Sequence, residues 1–149
     1  MLDLLLTIGH HILVFALVAM LAAEIAAIRP NMRADQIDHL SRLDRGYGIV
    51  AGLVVIIGIA RVLWGAKGAD FFLANPWFWG KMAAFLLIGI VSISPTLSIR
   101  RWLTATRANP AFSPSEAEIA PVRRMMLYEA ALLPVILICA AAMVRYGAF

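Results

Sequence analysis

Ionisable side chains interrupt four long apolar runs of this sequence, and they are the residues that could do chemistry. His10, His11 and Glu24 lie within the first run. Others lie within or at the ends of the remaining runs: Arg61, Lys81, Glu129 and Arg145. Charge inside a lipid bilayer costs free energy, and ionisable residues retained there commonly mark a functional site. An imidazole accompanied by several cations suits haem, whose iron accepts a histidine ligand and whose propionates bind Arg or Lys.

The composition predicts an integral membrane protein. Hydrophobic residues make up 62% of the 149 residues, whereas about half is usual for soluble domains. Four runs approach the roughly 20 apolar residues that cross a bilayer as a helix: residues 4–28, 48–64, 81–99 and 122–144. Because lipid cannot satisfy free backbone polar groups, we expect an all-α, four-helix transmembrane bundle that forms a single domain over residues 1–149. The first run lacks a basic n-region and is too long for a signal peptide, so we expect it to remain as the first span.

The positive charge is concentrated in two of the connections between the predicted spans. The net charge is +4, and nine of the 13 Lys and Arg residues fall in these two connections or in the first turn of span four. They are Arg29, Arg33, Arg42, Arg45, Arg100, Arg101, Arg107, Arg123 and Arg124. The positive-inside rule then predicts that both loops are cytoplasmic and that the N-terminus and C-terminus lie on the outer side. The charge therefore indicates topology, and no nucleic-acid partner is expected.

Helical periodicity predicts which polar side chains share a face. Residues seven apart return to nearly the same side of a helix, which aligns Asp3, His10 and Glu24 on the first span. Each span can thus turn one ionisable face toward the bundle interior. The predicted topology places a candidate cofactor site toward the outer leaflet, with His10 as the preferred metal ligand and His11 as the alternative. The other members of this predicted layer are Arg61, Lys81 and Arg145, with Met143 as a candidate second axial ligand.

Glu24 and Glu129 form a second predicted layer toward the cytoplasmic side. Arginines of both basic loops lie near this depth in the sequence, so we expect the two carboxylates to pair with arginine as clamps between helices. Gly48 and Gly52 form a small-xxx-small surface on the second span, against which a neighbouring helix could pack closely.

The connections carry three further local patterns. Residues 65–80 contain Phe71, Phe72, Trp77, Phe78 and Trp79, which indicates an aromatic belt at the membrane interface. In the first basic loop, apolar residues at near-helical spacing predict either a short surface helix or an extension of span two. In the second, Ser115 and Glu118 fit a capping box that begins span four or a short helix leading to it.

Several chemistries find no support in the sequence. It contains no GxGxxG, P-loop or HExxH motif and no convincing Ser-His-Asp pattern, so nucleotide hydrolysis and proteolysis are not expected. Cys139 is the single cysteine, which allows neither a disulfide framework nor a thiolate metal cage.

Two longer phrases resemble an uncharacterised family of four-span bacterial membrane proteins. They are Arg61-Val62-Leu63-Trp64-Gly65-Ala66-Lys67-Gly68 and Asn75-Pro76-Trp77-Phe78-Trp79-Gly80-Lys81. This resemblance covers nearly the whole chain and implies a multi-pass protein of the bacterial cytoplasmic (inner) membrane.

A more distant resemblance is to the HemJ type of membrane protoporphyrinogen oxidase. The early histidine, Arg42-Leu43 leading into Tyr47, Trp77-x-x-x-Lys81, and Glu129 before Pro134 carry it. It implies haem b binding and porphyrinogen oxidation, with His10 or His11, Lys81 and Glu129 in the places of the functional residues of that family.

Three functions fit these residues. The first is a haem-associated redox membrane protein linked to a porphyrinogen or a quinol. The second is a non-enzymatic accessory or structural subunit, which packs its glycine surface against a larger membrane complex or a second copy of itself. The third is a transporter-like or copper-handling component, suggested by His and Met within the spans.

Overall fold

The computed structural model describes residues 1–146 and is entirely helical over that range, apart from short connections. Five helices follow one another: α1 (Leu2–Ala27), α2 (Ala34–Trp64), α3 (Gly68–Leu73), α4 (Pro76–Ala108) and α5 (Glu116–Tyr146). Four of them, all except α3, are long and apolar enough to cross a membrane. The prediction of an all-α chain with four apolar spans is confirmed.

The long helices extend beyond the apolar spans because polar residues at their ends continue or cap them. α2 begins at Ala34 and runs without interruption into the second span, so the first basic loop contains the predicted extension of that span. Asn75 caps α4 by accepting a hydrogen bond from the Trp77 amide at 3.0 Å, and Pro76 occupies the first turn. At the start of α5, Glu118 Oε2 accepts hydrogen bonds from the Ser115 amide and hydroxyl, in agreement with the predicted pairing of these residues.

The four long helices are arranged in a ring. α1 and α4 each pack against α2 and α5, whereas the diagonal pairs, α1 with α4 and α2 with α5, have no Cα atoms within 8 Å of each other. Two hydrogen bonds tie together one end of the bundle: Asp3 Oδ1 accepts from the Ala66 amide, and Asn75 Nδ2 donates to the Met143 carbonyl. We call this end the α3 end and the opposite one, which holds both basic loops, the arginine-rich end.

Side-chain packing differs between the two ends. A large core lies toward the arginine-rich end and includes Leu21, Met32, Ile37, Leu40, Ile99, Trp102, Ile119 and Met126. At the α3 end, a smaller cluster joins Phe72, Phe78 and Met143. Phe72 and Phe78 are therefore buried and do not belong to the predicted aromatic belt, although Trp64 and Trp79 are exposed as a belt requires. The outward faces of the spans expose apolar side chains such as Phe15 and Leu86, which place the bundle in contact with lipid.

Candidate functional site

A cavity of about 290 Å³ lies between the two packed regions, and all four long helices line it. Its walls are almost entirely apolar, with Val14 and Leu17 from α1, Val54 from α2 and Phe85 from α4 among the lining residues. Other lining residues, including Ile59, Leu63 and Leu137, are more than half exposed, so the cavity opens through the lipid-facing surface. A ligand could therefore enter from the bilayer.

His10 brings an imidazole to this cavity from α1. Its Nδ1 atom is buried and has no hydrogen-bond partner among the described residues. The ring packs against Gly58 of α2, where a methyl carbon added to the glycine would lie 3.5 Å from His10 Cε1 and 3.9 Å from Nδ1. A buried polar atom without a partner costs free energy, which makes His10 a candidate for binding a ligand.

Two cations reach the same cavity, Arg61 from α2 and Lys81 from α4. The Arg61 Nε atom is buried and unpartnered like the His10 nitrogen. The Lys81 Nζ atom lies 5.3 Å from the centre of the Phe78 ring, within the range of a cation–π contact. The structure thus brings together three of the predicted site residues, His10, Arg61 and Lys81.

The other residues predicted for this layer lie elsewhere. His11 is exposed, and its Nδ1 atom is 2.7 Å from the Thr7 carbonyl one turn earlier on α1. Arg145 is exposed at the end of α5 and does not line the cavity. Met143 is buried against Phe72 and Phe78, so its side chain belongs to the packing of the α3 end.

The donor set of the cavity fits haem better than a bare metal ion. Within residues 1–146, no three His, Cys, Asp or Glu side chains are arranged to hold a metal ion. A bare transition metal needs several protein ligands, whereas haem iron already has the macrocycle and can be held by one histidine. The apolar walls suit an apolar ligand, and the two cations suit a ligand that carries carboxylates.

A second polar cluster lies on the arginine-rich side of the cavity. It contains Glu24 of α1, Asp44 and Tyr47 of α2, Thr96 of α4 and Glu129 of α5. The Tyr47 hydroxyl donates to Glu129 Oε2 at 3.0 Å, and the Thr96 hydroxyl donates to Asp44 Oδ1 at 2.7 Å. We call these five residues the acidic cluster.

The acidic cluster corrects the prediction that Glu24 and Glu129 pair with arginine. The ion pairs among the described residues are Arg33 with Asp35 and Arg42 with Asp38, all in the first basic loop and the start of α2. The arginines of the second basic loop, including Arg123 and Arg124, are exposed and point away from the interior. The positions of these arginines along the sequence match the depth of Glu24 and Glu129. Those positions do not specify which side of the helix each arginine occupies.

Neither Asp44 nor Thr96 was identified from the sequence. Asp44 stands among the charges of the first basic loop, which concealed its place in the interior of the bundle. The signal that could have found Asp44 is its place in the buried stripe of α2. This stripe contains Ile37, Leu40, Ser41, Asp44 and Tyr47, each of which lies three or four residues from another member. An acidic residue on the apolar face of a helix is positioned in the interior of the bundle.

Comparison with known proteins identifies a family for the chain. The model of a family described as "Predicted membrane protein (DUF2214)" matches residues 2–147. No curated protein and no solved structure matches the chain. The resemblance to four-span membrane proteins is thereby confirmed, whereas the likeness to the HemJ type stays a prediction.

Proposed function

The chain belongs to the DUF2214 family of predicted membrane proteins, and we propose that it is a haem-associated redox protein acting on a porphyrinogen or a quinol in the bacterial cytoplasmic membrane. His10 is the axial ligand of haem b in this proposal, and Arg61 and Lys81 bind the propionates. The observation that supports it most directly is the His10 imidazole, which lines an apolar cavity together with two cations and whose Nδ1 atom is buried without a partner among the described residues.

The protein contributes binding, orientation and exclusion of water. Gly58 has no side chain, which lets the His10 ring lie close to α2 while it lines the cavity. The Arg61 guanidinium can hold a carboxylate in a two-pronged hydrogen bond, and the Lys81 ammonium adds a point charge from the neighbouring helix. When bound, the haem would supply one-electron transfer. The opening to lipid suits a redox partner that is itself dissolved in the membrane.

The proposed topology follows from the distribution of arginines. Both basic loops lie on the cytoplasmic side, which places the α3 end, both termini and the His10 cavity toward the outer side. The acidic cluster then lies between the cavity and the cytoplasm.

An absorption spectrum of protein purified from bacterial membranes in mild detergent tests the function. We expect a Soret band that His10→Ala removes and that the neighbouring variant His11→Ala retains. Size-exclusion chromatography of both variants shows whether the bundle has stayed intact. A spectrum unchanged by His10→Ala would exclude this ligand, and loss of the band in His11→Ala alone would move the ligand to the exposed histidine.

A second candidate function, an accessory subunit of a membrane complex or a homo-oligomer, is favoured by the glycines of α2. Gly48 and Gly52 are exposed, and a methyl carbon added at either position would meet no described atom within 4 Å. The predicted small-residue surface therefore points outward, where another transmembrane helix could approach closely. Colourless, metal-free protein that co-purifies with a larger assembly, and loses it when Gly48 and Gly52 are replaced by Leu, would favour this function over the first.

A further inference from the structure

Three carboxyl groups from three helices meet inside the bundle, and none of them has a cationic partner among residues 1–146. Glu24 is 2% exposed, Glu129 is 1% exposed and Asp44 is 7% exposed. Glu24 lies close enough to both Asp44 and Glu129 to interact with them electrostatically. This degree of burial is unusual for acidic residues unless they are paired or neutral.

The surroundings of the three carboxyl groups contain hydroxyl donors and one distant cation. The Tyr47 hydroxyl of α2 donates a hydrogen bond to Glu129, and the Thr96 hydroxyl of α4 donates one to Asp44. The exposed Arg100 of α4 acts on Asp44 through its charge but forms no ion pair with it. Glu24 is the exception among the three carboxyl groups, because its Oε1 atom is buried and receives no hydrogen bond from the described residues.

The physical consequence concerns the charge of the cluster. Three ionised carboxylates side by side in an apolar interior repel one another and lose their hydration, so they cannot all remain charged. Asp44 and Glu129 each accept a hydrogen bond that stabilises an anion, whereas nothing among the described residues stabilises an anion at Glu24 Oε1. The three side chains are also not arranged to share a metal ion. A proton is the remaining cation that fits.

We propose that the acidic cluster is a proton-binding site in which Glu24 carries the proton at neutral pH. The proton comes from water and forms an O–H bond on the Glu24 carboxylate, which leaves Asp44 and Glu129 to accept hydrogen bonds from Thr96 and Tyr47. Glu129 lies one helical turn from Leu133, and Glu24 lies seven residues from Leu17; both of these apolar residues line the His10 cavity. The cluster therefore lies within about two helical turns of the cavity lining.

Infrared spectroscopy of the protein in a detergent that has no carbonyl groups tests the proposal without requiring any cofactor. A protonated carboxyl group has a carbonyl band distinct from that of a carboxylate. We expect wild-type protein at pH 7 to show this band and Glu24→Gln to lose it. Glu118→Gln, which removes an exposed carboxylate at the start of α5, is the matched control and should leave the band unchanged.

If Glu24→Gln does not fold, the assignment follows from Asp44→Asn and Glu129→Gln, both of which should keep the band. A wild-type spectrum without the band at pH 7, or a band that persists in folded Glu24→Gln, would overturn the proposal. So would a band that disappears at constant pH when Na⁺ or Ca²⁺ is added, because the cluster would then bind a metal cation in place of the proton. The band is expected whether or not the preparation is coloured, so this test and the haem test fail independently.

Discussion

The Tyr47 hydroxyl donates a hydrogen bond to Glu129 Oε2 at 3.0 Å, and this contact joins α2 and α5 across the centre of the bundle. The two helices have no Cα atoms within 8 Å of each other, so a long side chain is needed to span the diagonal. Tyr47 is 6% exposed and Glu129 is 1% exposed. The bond therefore has no competition from water.

Replacing Tyr47 with Phe should destabilise the bundle by about 1–3 kcal/mol, because it leaves a buried carboxyl oxygen without its donor. Tyr128→Phe is the matched control. Tyr128 is exposed, so its hydroxyl should contribute within about 0.5 kcal/mol. Unfolding of both variants in mixed micelles with increasing denaturing detergent measures the difference. Equal stabilities for the two variants would contradict the structural role of the diagonal bond.

Neutralising the cavity cations should weaken binding of an anionic, largely apolar ligand. A hydrogen bond to a charged group contributes about 1.5–3 kcal/mol, which corresponds to roughly 10-fold to 100-fold in affinity. We expect such losses for Arg61→Gln and Lys81→Gln in a titration of haem-depleted protein with haem. Arg145→Gln, which removes an exposed cation outside the cavity, should bind like wild type. A similar loss in all three variants would indicate a general effect of net charge.

Filling the space beside His10 should abolish ligand binding without unfolding the protein. A methyl group at Gly58 makes an ordinary contact with His10 Cε1 at 3.5 Å, so Gly58→Ala should be tolerated. The larger side chain of Gly58→Leu must enter the region of the imidazole ring and the cavity. Gly52→Leu adds the same side chain to the same helix where no described atom lies within 4 Å. The Soret absorbance per protein should fall for Gly58→Leu alone, and equal absorbance in both leucine variants would argue against a ligand at this position.

Asn75 should be more important for stability than its position in a connection suggests. Its side chain caps α4 through the Trp77 amide and donates to the Met143 carbonyl at 3.2 Å, so it joins α4 to α5. Loss of the cap alone costs about 0.5–2 kcal/mol. Asn109→Ala is the comparison, since that exposed side chain accepts from the Ala111 amide nearby and reaches no other helix. Thermal unfolding in detergent should give the lower midpoint for Asn75→Ala, and the reverse order would show that the link to α5 contributes little.

The number and identity of the transmembrane helices could be predicted from the sequence, because hydropathy along the chain measures how favourable it is to transfer each segment from water into lipid. The ends of the helices were less predictable. α4 continues to Ala108 through Arg100, Arg101 and Arg107, whose charges suggest a loop but whose side chains are simply exposed on a helix.

The candidate site was predictable in part for a related reason. Periodicity placed His10 on an inward face of α1, and Arg61 and Lys81 reach the same cavity as expected. Which helices neighbour each other, and how each is rotated, depends on packing between distant segments. The sequence therefore did not reveal that Glu24 meets Asp44 and Glu129 and not arginine.

The length of α4 has a consequence for where solvent acts on the molecule. At 1.5 Å per residue its 33 residues extend for about 50 Å, whereas the hydrocarbon layer is only about 30 Å thick. We therefore expect the buried residues near the arginine-rich end, including Met32, Ile37 and Trp102, to form a cap in the aqueous phase, where apolar burial is favourable as in a globular protein. Urea should unfold this cap, whereas the lipid-embedded part of the bundle should resist urea. The two parts of the molecule should therefore unfold under different denaturants.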